Sequence, residues 1–174
     1  MTATDLPINI NTSIPTFHSS IFIADGAKII GDVKIGNNSS IWYNAVLRAD
    51  INHIQIGDNT NIQDGSVLHV GNNHPCIIGN NCTIGHNVNL HGCVVENACL
   101  IGIGAIVLSG AIIGQGSVIG AGALIREGQI ITPGSMVVGV PGKTIKNLEP
   151  HTIQTHIKWA NKYQALAKKY TSSP

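Results

Sequence analysis

Residues 101–125 read IGIGAIVLSGAIIGQGSVIGAGALI, with a branched aliphatic side chain at every sixth position. A period of six fits neither the 3.6 residues per turn of a helix nor the two-residue alternation of an ordinary strand. It is typical of a solenoid of stacked parallel strands, in which three repeats of about eighteen residues in total make one coil. The stretch therefore predicts a mainly β fold, a parallel β-helix.

This six-residue register spans residues 17–137, with two insertions, of three and four residues, and one skipped position. Its members are Phe17, Ile23, Ile29, Ile35, Ile41, Leu47, Ile56, Ile62, Leu68, Ile78, Ile84, Leu90, Val95, Ile101, Val107, Ile113, Ile119, Ile125, Ile131 and Val137. These side chains are predicted to point inward and to form the core. Many precede a glycine, such as Gly36 or Gly57, and we expect these glycines to turn the corners with a positive φ.

The pattern changes at residue 149. Apolar residues then recur three or four positions apart, which predicts an amphipathic helix: Ile153, Ile157, Ala160, Tyr163, Ala167 and Tyr170. We therefore divide the chain into a β-helix domain at 1–148 and a C-terminal helix at 149–174. The helix is expected to pack along the outside of the solenoid.

Composition narrows the function classes. The 174 residues carry a net charge of +1, and only 11% are charged, which gives no basic stripe for nucleic acid. So few charges favour an oligomer in which one face is hidden. Residues 1–11 lack the pattern of a leader peptide, and no apolar run approaches the ~20 residues that span a bilayer. We expect a cytoplasmic protein with no membrane contact.

Four cysteines each stand two positions before a register residue: Cys76, Cys82, Cys93 and Cys99. Small or branched residues fill that position elsewhere, and free cysteine behaves as a small buried hydrophobe. The spacing is not that of a C-x-x-C motif. Core packing is therefore favoured over thiol chemistry, and reduced thiols suit a cytoplasmic protein.

Counting register steps instead of residues stacks side chains three steps apart, about 4.8 Å from each other. Three register leucines stack in this way, so the residues directly after them form a first polar column of Arg48, His69 and His91. The residues two positions beyond three stacked isoleucines form a second column of Tyr43, Asp64 and His86.

The first column predicts a metal site. His69 and His91 lie on neighbouring coils, where two imidazoles can bind one ion; the alternative is a pair of solvated surface histidines. His86 is in the other column, too far away within one chain, but a neighbouring subunit could supply it. Three such contacts around a threefold axis would make three sites. Three imidazoles with an open position are typical of catalytic zinc, which lowers the pKa of its bound water to about 7.

Other polar residues beside these columns can support the site. The Gln63 amide could hydrogen-bond an oxygen on the metal. Arg48 is one of two arginines in the chain, and it could pair with Asp50 or Asp64 across a subunit boundary. We expect trimer assembly to be the main role of Arg48.

Several motifs resemble the gamma-class carbonic anhydrases: NAVLRAD at 44–50, NIQDGSVLH at 61–69, IGHNVNLHG at 84–92, LIGIGA at 100–105 and GVPGK at 139–143. The resemblance covers nearly the whole chain. It implies a left-handed β-helix, a homotrimer, and zinc, or iron in some members, at each subunit interface. It also implies reversible hydration of carbon dioxide to bicarbonate.

The resemblance assigns roles to individual residues. His69, His86 and His91 match the metal ligands, and Gln63 matches the residue that orients the hydroxide. An interface ion-pair network corresponds to Arg48, Asp50 and Asp64. Tyr163 corresponds to a tyrosine that approaches the metal in some members, with helix packing as the alternative.

One departure concerns proton transfer. The founding enzyme of the family has an acidic loop with a proton-shuttling glutamate, whereas residues 49–54 here contain no glutamate. His53 or His74 could substitute, because imidazole titrates near neutral pH; both could equally be plain loop residues.

The sequence thus predicts a zinc-dependent carbonic anhydrase and leaves two alternatives open. One is a metal-dependent hydrolase of acyl-coenzyme A thioesters, and the other is a catalytically silent, metal-binding trimer with a structural or binding role. The metal itself stays open between zinc, iron and cobalt, because imidazole suits all three.

Overall fold

The computed structural model describes residue 10 and residues 13–171 of the chain. In this part the chain forms nineteen strands and one helix. They are β1 (Thr16–Phe17), β2 (Phe22–Ile23), β3 (Lys28–Ile35), β4 (Ser40–Ile41), β5 (Val46–Ile56), β6 (Asn61–Ile62), β7 (Val67–His69), β8 (Cys76–Ile78), β9 (Thr83–Ile84), β10 (Asn89–His91), β11 (Val94–Val95), β12 (Leu100–Ile101), β13 (Ile106–Val107), β14 (Ile112–Ile113), β15 (Val118–Ile119), β16 (Leu124–Ile125), β17 (Ile130–Ile131), β18 (Ser135–Val138), β19 (Lys143–Asn147) and α1 (Thr152–Thr171).

These strands form the three faces of a left-handed parallel β-helix, as predicted. The first face contains the start of β3 and of β5, then β7, β10, β13 and β16. The second contains β1, the ends of β3 and β5, then β8, β11, β14 and β17. The third runs from β2 through β4, β6, β9, β12 and β15 to β18. Each coil therefore contributes one strand, or one half of the long strands β3 and β5, to each face.

The predicted register forms the core. Every register residue from Ile35 to Val137 is buried. The prediction is wrong at the N-terminal coil, where Phe17 is 50% exposed and Ile23 is 37% exposed. This coil has a neighbouring coil on one side only, so its side chains lack the second layer that covers the others.

The structure also corrects the role given to the glycines. Gly36 and Gly57, which follow register residues, do not have a positive φ among the described residues. A Cβ on Gly36 would instead lie 2.6 Å from the carbonyl carbon of Gly57, so glycine is needed because successive coils touch there. The positive φ occurs three positions after the register, at asparagines such as Asn44 and at glycines such as Gly65. Both residue types tolerate that conformation.

Helix α1 packs on the third face, against β2, β4, β6 and β9. It begins at Thr152 instead of residue 149. Before it, the chain returns as β19, which pairs antiparallel with β18. The buried His156 donates a hydrogen bond from Nδ1 to the Ala98 carbonyl, at 2.8 Å. The Trp42 ring, also buried, packs edge-on against Tyr163 and Tyr170. The helix therefore covers part of the third face.

All four cysteines are buried and free, which confirms the packing prediction. The hydrogen bond with Cys76, together with burial, raises the pKa of the Cys93 thiol. In the same way, the hydrogen bond with Cys82 and burial raise the pKa of Cys99. Thiols of this kind are unreactive.

Among the described residues, no helix is both long and apolar enough to cross a membrane. The leader expectation concerns residues 1–11, of which only residue 10 is described. Residues 172–174, at the end of the predicted C-terminal part, also lie outside the described residues.

Candidate metal centre

The structure confirms the first polar column. Arg48 pairs with His69 in the parallel ladder between β5 and β7, and His69 pairs with His91 between β7 and β10. The two imidazole rings have centroids 5.1 Å apart. Both histidines end their strands, so they project at the corner between the first and second faces.

Each of these two histidines is held by a neighbouring side chain. His91 Nδ1 lies 2.8 Å from Ser109 Oγ on the next coil. His69 Nε2 lies 3.0 Å from Asp50 Oδ1, and Asp50 also pairs with Arg48. The predicted ion pair of Arg48 is therefore made within one chain, to Asp50.

Electrostatics favours a neutral His91. Burial is the main cause that lowers the pKa of His91. Electrostatic interactions with His69 and Arg48 act in the same direction, while Glu127 acts in the opposite direction. For Asp50, burial raises the pKa, but the hydrogen bonds from His69 and Arg48 outweigh it and the net shift is downward. A neutral imidazole beside an ionised carboxylate is the state that cation binding requires.

The second column is also formed as predicted. The Gly65 amide donates to the Tyr43 carbonyl, and the Asn87 amide donates to the Asp64 carbonyl, so these turns stack. His86 Nδ1 lies 2.6 Å from Asp64 Oδ2. Both side chains are 41% exposed, which leaves the imidazole accessible from outside the chain.

A cleft of about 430 Å³ brings Gln63, His86 and Tyr163 together between the third face and α1. Gln63 is buried, and its Nε2 donates to Asn61 Oδ1 at 3.0 Å. This hydrogen bond leaves the amide oxygen of Gln63 available to accept a hydrogen bond from a molecule in the cleft. Burial and the negative charge of Asp64 raise the pKa of Tyr163, so its phenol stays protonated.

The two columns lie at opposite edges of the first face. His86 is in the turn that leads into β10, whereas His91 ends that strand. In the described part of the chain, no group of three potential ligands lies close enough to hold one metal ion. The donor set nevertheless fits a shared ion. His86 and His91 each have Nδ1 occupied by a partner and can present Nε2, whereas His69 has Nε2 beside Asp50 and would present Nδ1.

A second groove, of about 740 Å³, borders His91 and is lined by His74, Ser109 and Glu127. His74 is one of the two histidines predicted to replace the proton-shuttling glutamate. The other, His53, lies within β5. Sequence reasoning missed Ser109 and Glu127. Both stand two positions beyond register residues, so extending the column count by one position would have placed them beside His91.

Comparison with known proteins gives three results. Residues 92–127 match the family model described as bacterial transferase hexapeptide (six repeats). The probable carbonic anhydrase of Methanocaldococcus jannaschii is 43% identical over 149 residues, which are 86% of this chain and 94% of that protein. The mitochondrial gamma carbonic anhydrase 1 of Arabidopsis thaliana is 40% identical over 84 residues, which are 45% of this chain but 30% of that protein.

Among solved structures, a putative acetyltransferase from Bacillus cereus superposes with a TM-score of 0.88 and 40% identity. The match covers 91% of this chain and 92% of that one. Fold and repeats thus define a left-handed β-helix of the hexapeptide-repeat class. Within this class, the chain belongs to the gamma carbonic anhydrase family.

Proposed function

We propose that this protein is a zinc-dependent carbonic anhydrase that interconverts carbon dioxide and bicarbonate at metal sites between the subunits of a cytoplasmic homotrimer. Each site would take His69 and His91 from one subunit and His86 from its neighbour. Iron or cobalt would suit the same ligands.

The pairing of His69 with His91 on adjacent coils is the observation that carries this proposal. Their rings converge at one corner, each held by a hydrogen-bonding partner, whereas His86 stands at the other edge of the same face. A neighbouring subunit related by a threefold axis would bring one edge against the other. The 43% identity to the probable carbonic anhydrase of Methanocaldococcus jannaschii, over 86% of this chain, supports hydration of carbon dioxide as the reaction.

Zinc held by three imidazoles would supply water activated as a nucleophile at neutral pH. The residues of the chain orient the reactants. The Gln63 amide is held by Asn61, so its oxygen can fix the direction of the attacking water. The Tyr163 phenol is protonated and borders the same cleft, where it can donate a hydrogen bond to bicarbonate. Hydration of carbon dioxide also releases one proton, which must pass to the buffer.

Stopped-flow measurement of carbon dioxide hydration tests this proposal. The protein is purified without air, reconstituted separately with zinc and with iron, and compared with His91→Ala and with the control His18→Ala. His18 is exposed, and its imidazole hydrogen-bonds Ser20, two positions along the chain. We expect activity that depends on the metal, is lost in His91→Ala and is retained in His18→Ala. Tight binding of one metal per chain without hydration would refute the anhydrase assignment.

The shape of the cleft favours a second candidate function, hydrolysis of acyl thioesters. Its wall includes the apolar side chains of Leu100, Ile103 and Trp159. A volume of about 430 Å³ lies within the usual range for sites of small organic ligands and exceeds what a three-atom substrate requires. Release of free thiol from acetyl-coenzyme A, abolished in His91→Ala, would support this function; absence of release would exclude this substrate.

A further inference from the structure

The orienting partner of His91 is a residue to which neither the motifs nor the comparisons assign a role. Ser109 follows β13, one coil beyond His91, and its Oγ lies 2.8 Å from His91 Nδ1. The backbone holds this arrangement from both sides, because the Gly110 amide donates to the Gly92 carbonyl and the Gly128 amide donates to the Ser109 carbonyl. The serine is therefore fixed by the same ladder that positions the histidine.

We infer that Ser109 is a positioning residue, which holds His91 with a proton on Nδ1 and presents Nε2 to the metal. This inference rests on the proposed metal site. A neutral imidazole carries its proton on one nitrogen, and the other nitrogen has the lone pair that binds a metal. When the Ser109 hydroxyl accepts from Nδ1, the lone pair is on Nε2.

The three predicted metal ligands differ in the side chain that hydrogen-bonds each imidazole. His69 and His86 each contact a carboxylate, Asp50 and Asp64, whereas His91 contacts a neutral hydroxyl. Another acidic side chain, Glu127, lies on the coil after Ser109 and borders the groove beside His91. A serine between His91 and Glu127 orients the ring without adding another charge beside it. Without the hydroxyl, the His91 ring would be free to rotate, and its proton could move from Nδ1 to Nε2.

The first test measures zinc affinity by competition with a chromophoric chelator. The variants Ser109→Ala and Ser109→Val lack the hydroxyl, whereas Ser109→Thr retains it with nearly the shape of valine. We expect about 10- to 100-fold weaker binding for Ala and Val, as for other partners of metal-bound histidine, and near-normal binding for Thr. Ser117→Ala is the control, because it removes a buried hydroxyl that donates to the Thr132 carbonyl. That control should bind zinc normally.

The second test needs no metal. Nitrogen-15 NMR of the metal-free protein reports which ring nitrogen of His91 carries the proton. The wild type is expected to show protonated Nδ1, and Ser109→Ala or Ser109→Val is expected to shift the proton toward Nε2, with Ser109→Thr unchanged. If either Ser109→Ala or Ser109→Val does not fold, the other variant is used in both tests.

The outcomes separate the two claims. If wild type binds zinc and the hydroxyl-free variants bind it equally well, the role of Ser109 is refuted and the metal site stands. If wild type binds neither zinc nor iron, the proposed function fails, and the NMR result alone decides whether Ser109 positions His91. An unchanged proton position in the hydroxyl-free variants would refute the inference in that case as well.

Discussion

The third and first faces of the solenoid have the same strand geometry but differ in the polarity of their outward side chains. On the third face, the outward residues of β4, β6 and β9 are small, polar and buried beneath α1: Ser40, Asn61 and Thr83. On the first face, Lys28 of β3 and Asn89 of β10 are polar, and the outward residues of the other four strands are apolar: Val46, Val67, Ile106 and Leu124. At these three strands beneath α1 the outward residues are polar, whereas the outward residues of the uncovered, open first face are mainly apolar.

Hydrogen bonds explain the covered face. Asn61 Nδ2 donates to Thr83 Oγ1 at 3.0 Å, and Trp42 Nε1 donates to Ser40 Oγ at the same distance. These side chains satisfy one another, so the helix can lie over them without leaving polar groups unpaired. Branched apolar residues on the open face make no such bonds and gain from removal of water. The second face also has apolar outward residues, such as Ile112 and Ile130. The first face is nevertheless the better candidate for contact with another subunit, because both histidine columns lie at its edges.

The largest loss of stability is expected at the aromatic cluster around Trp42, through which α1 packs on the third face. Trp42→Ala removes a buried ring that contacts Phe22, Tyr163 and Tyr170, and we expect a loss of about 3–5 kcal/mol of unfolding free energy. Denaturant titration measures this loss. Trp159→Ala is the control, because that ring is 46% exposed and should lose much less. Equal losses would mean that α1 does not depend on the aromatic cluster.

A charge on the open face should prevent assembly. Val67 is 38% exposed in the single chain, and Val67→Asp would place an unpaired carboxylate in a subunit contact, at a cost of about 3 kcal/mol per interface. Analytical ultracentrifugation should then show monomers, while circular dichroism stays native.

The matched control for this change is Ile130→Asp. Ile130 is 69% exposed, occupies the equivalent outward position on the second face, and is not expected to be in the contact. Loss of assembly in Ile130→Asp, but not in Val67→Asp, would move the interface to the second face and separate it from His86.

A smaller effect is expected at the edge of the open face. Arg48 is 46% exposed and pairs with Asp50, so Arg48→Ala should change the unfolding free energy of the single chain by less than about 1 kcal/mol. It should nevertheless weaken the trimer, measured as a higher dissociation constant in sedimentation equilibrium. An unchanged dissociation constant would assign Arg48 to orientation of Asp50 alone.

The fold could be predicted well from the sequence, because one physical condition, an apolar side chain pointing inward at every sixth position, repeats along the chain. The same count predicts that His69 stands beside His91, and the ladder between β7 and β10 confirms it. It failed where a coil lacks a neighbour, at Phe17 and Ile23, and it could not foresee β19, whose antiparallel return has no six-residue period.

The site was predictable only where the residue type is distinctive. Histidines stand out in an aliphatic repeat, but Ser109 does not, since serine also fills buried positions such as Ser66 and Ser117. Its role depends on a 2.8 Å contact that only the structure shows. The location of Tyr163 beside Gln63 likewise depends on where α1 crosses the third face, which periodicity does not specify.

Metal binding by mixed trimers tests the central claim most directly. His91→Ala and His86→Ala subunits are each expected to form trimers that bind no zinc. In a trimer that contains both, one contact joins an intact pair of His69 and His91 to an intact His86, so one of the three sites should be restored. Restoration of that zinc and of hydration activity would support a site shared between subunits. Mixed trimers without zinc, beside a wild type that binds it, would show that one chain holds the whole ligand set.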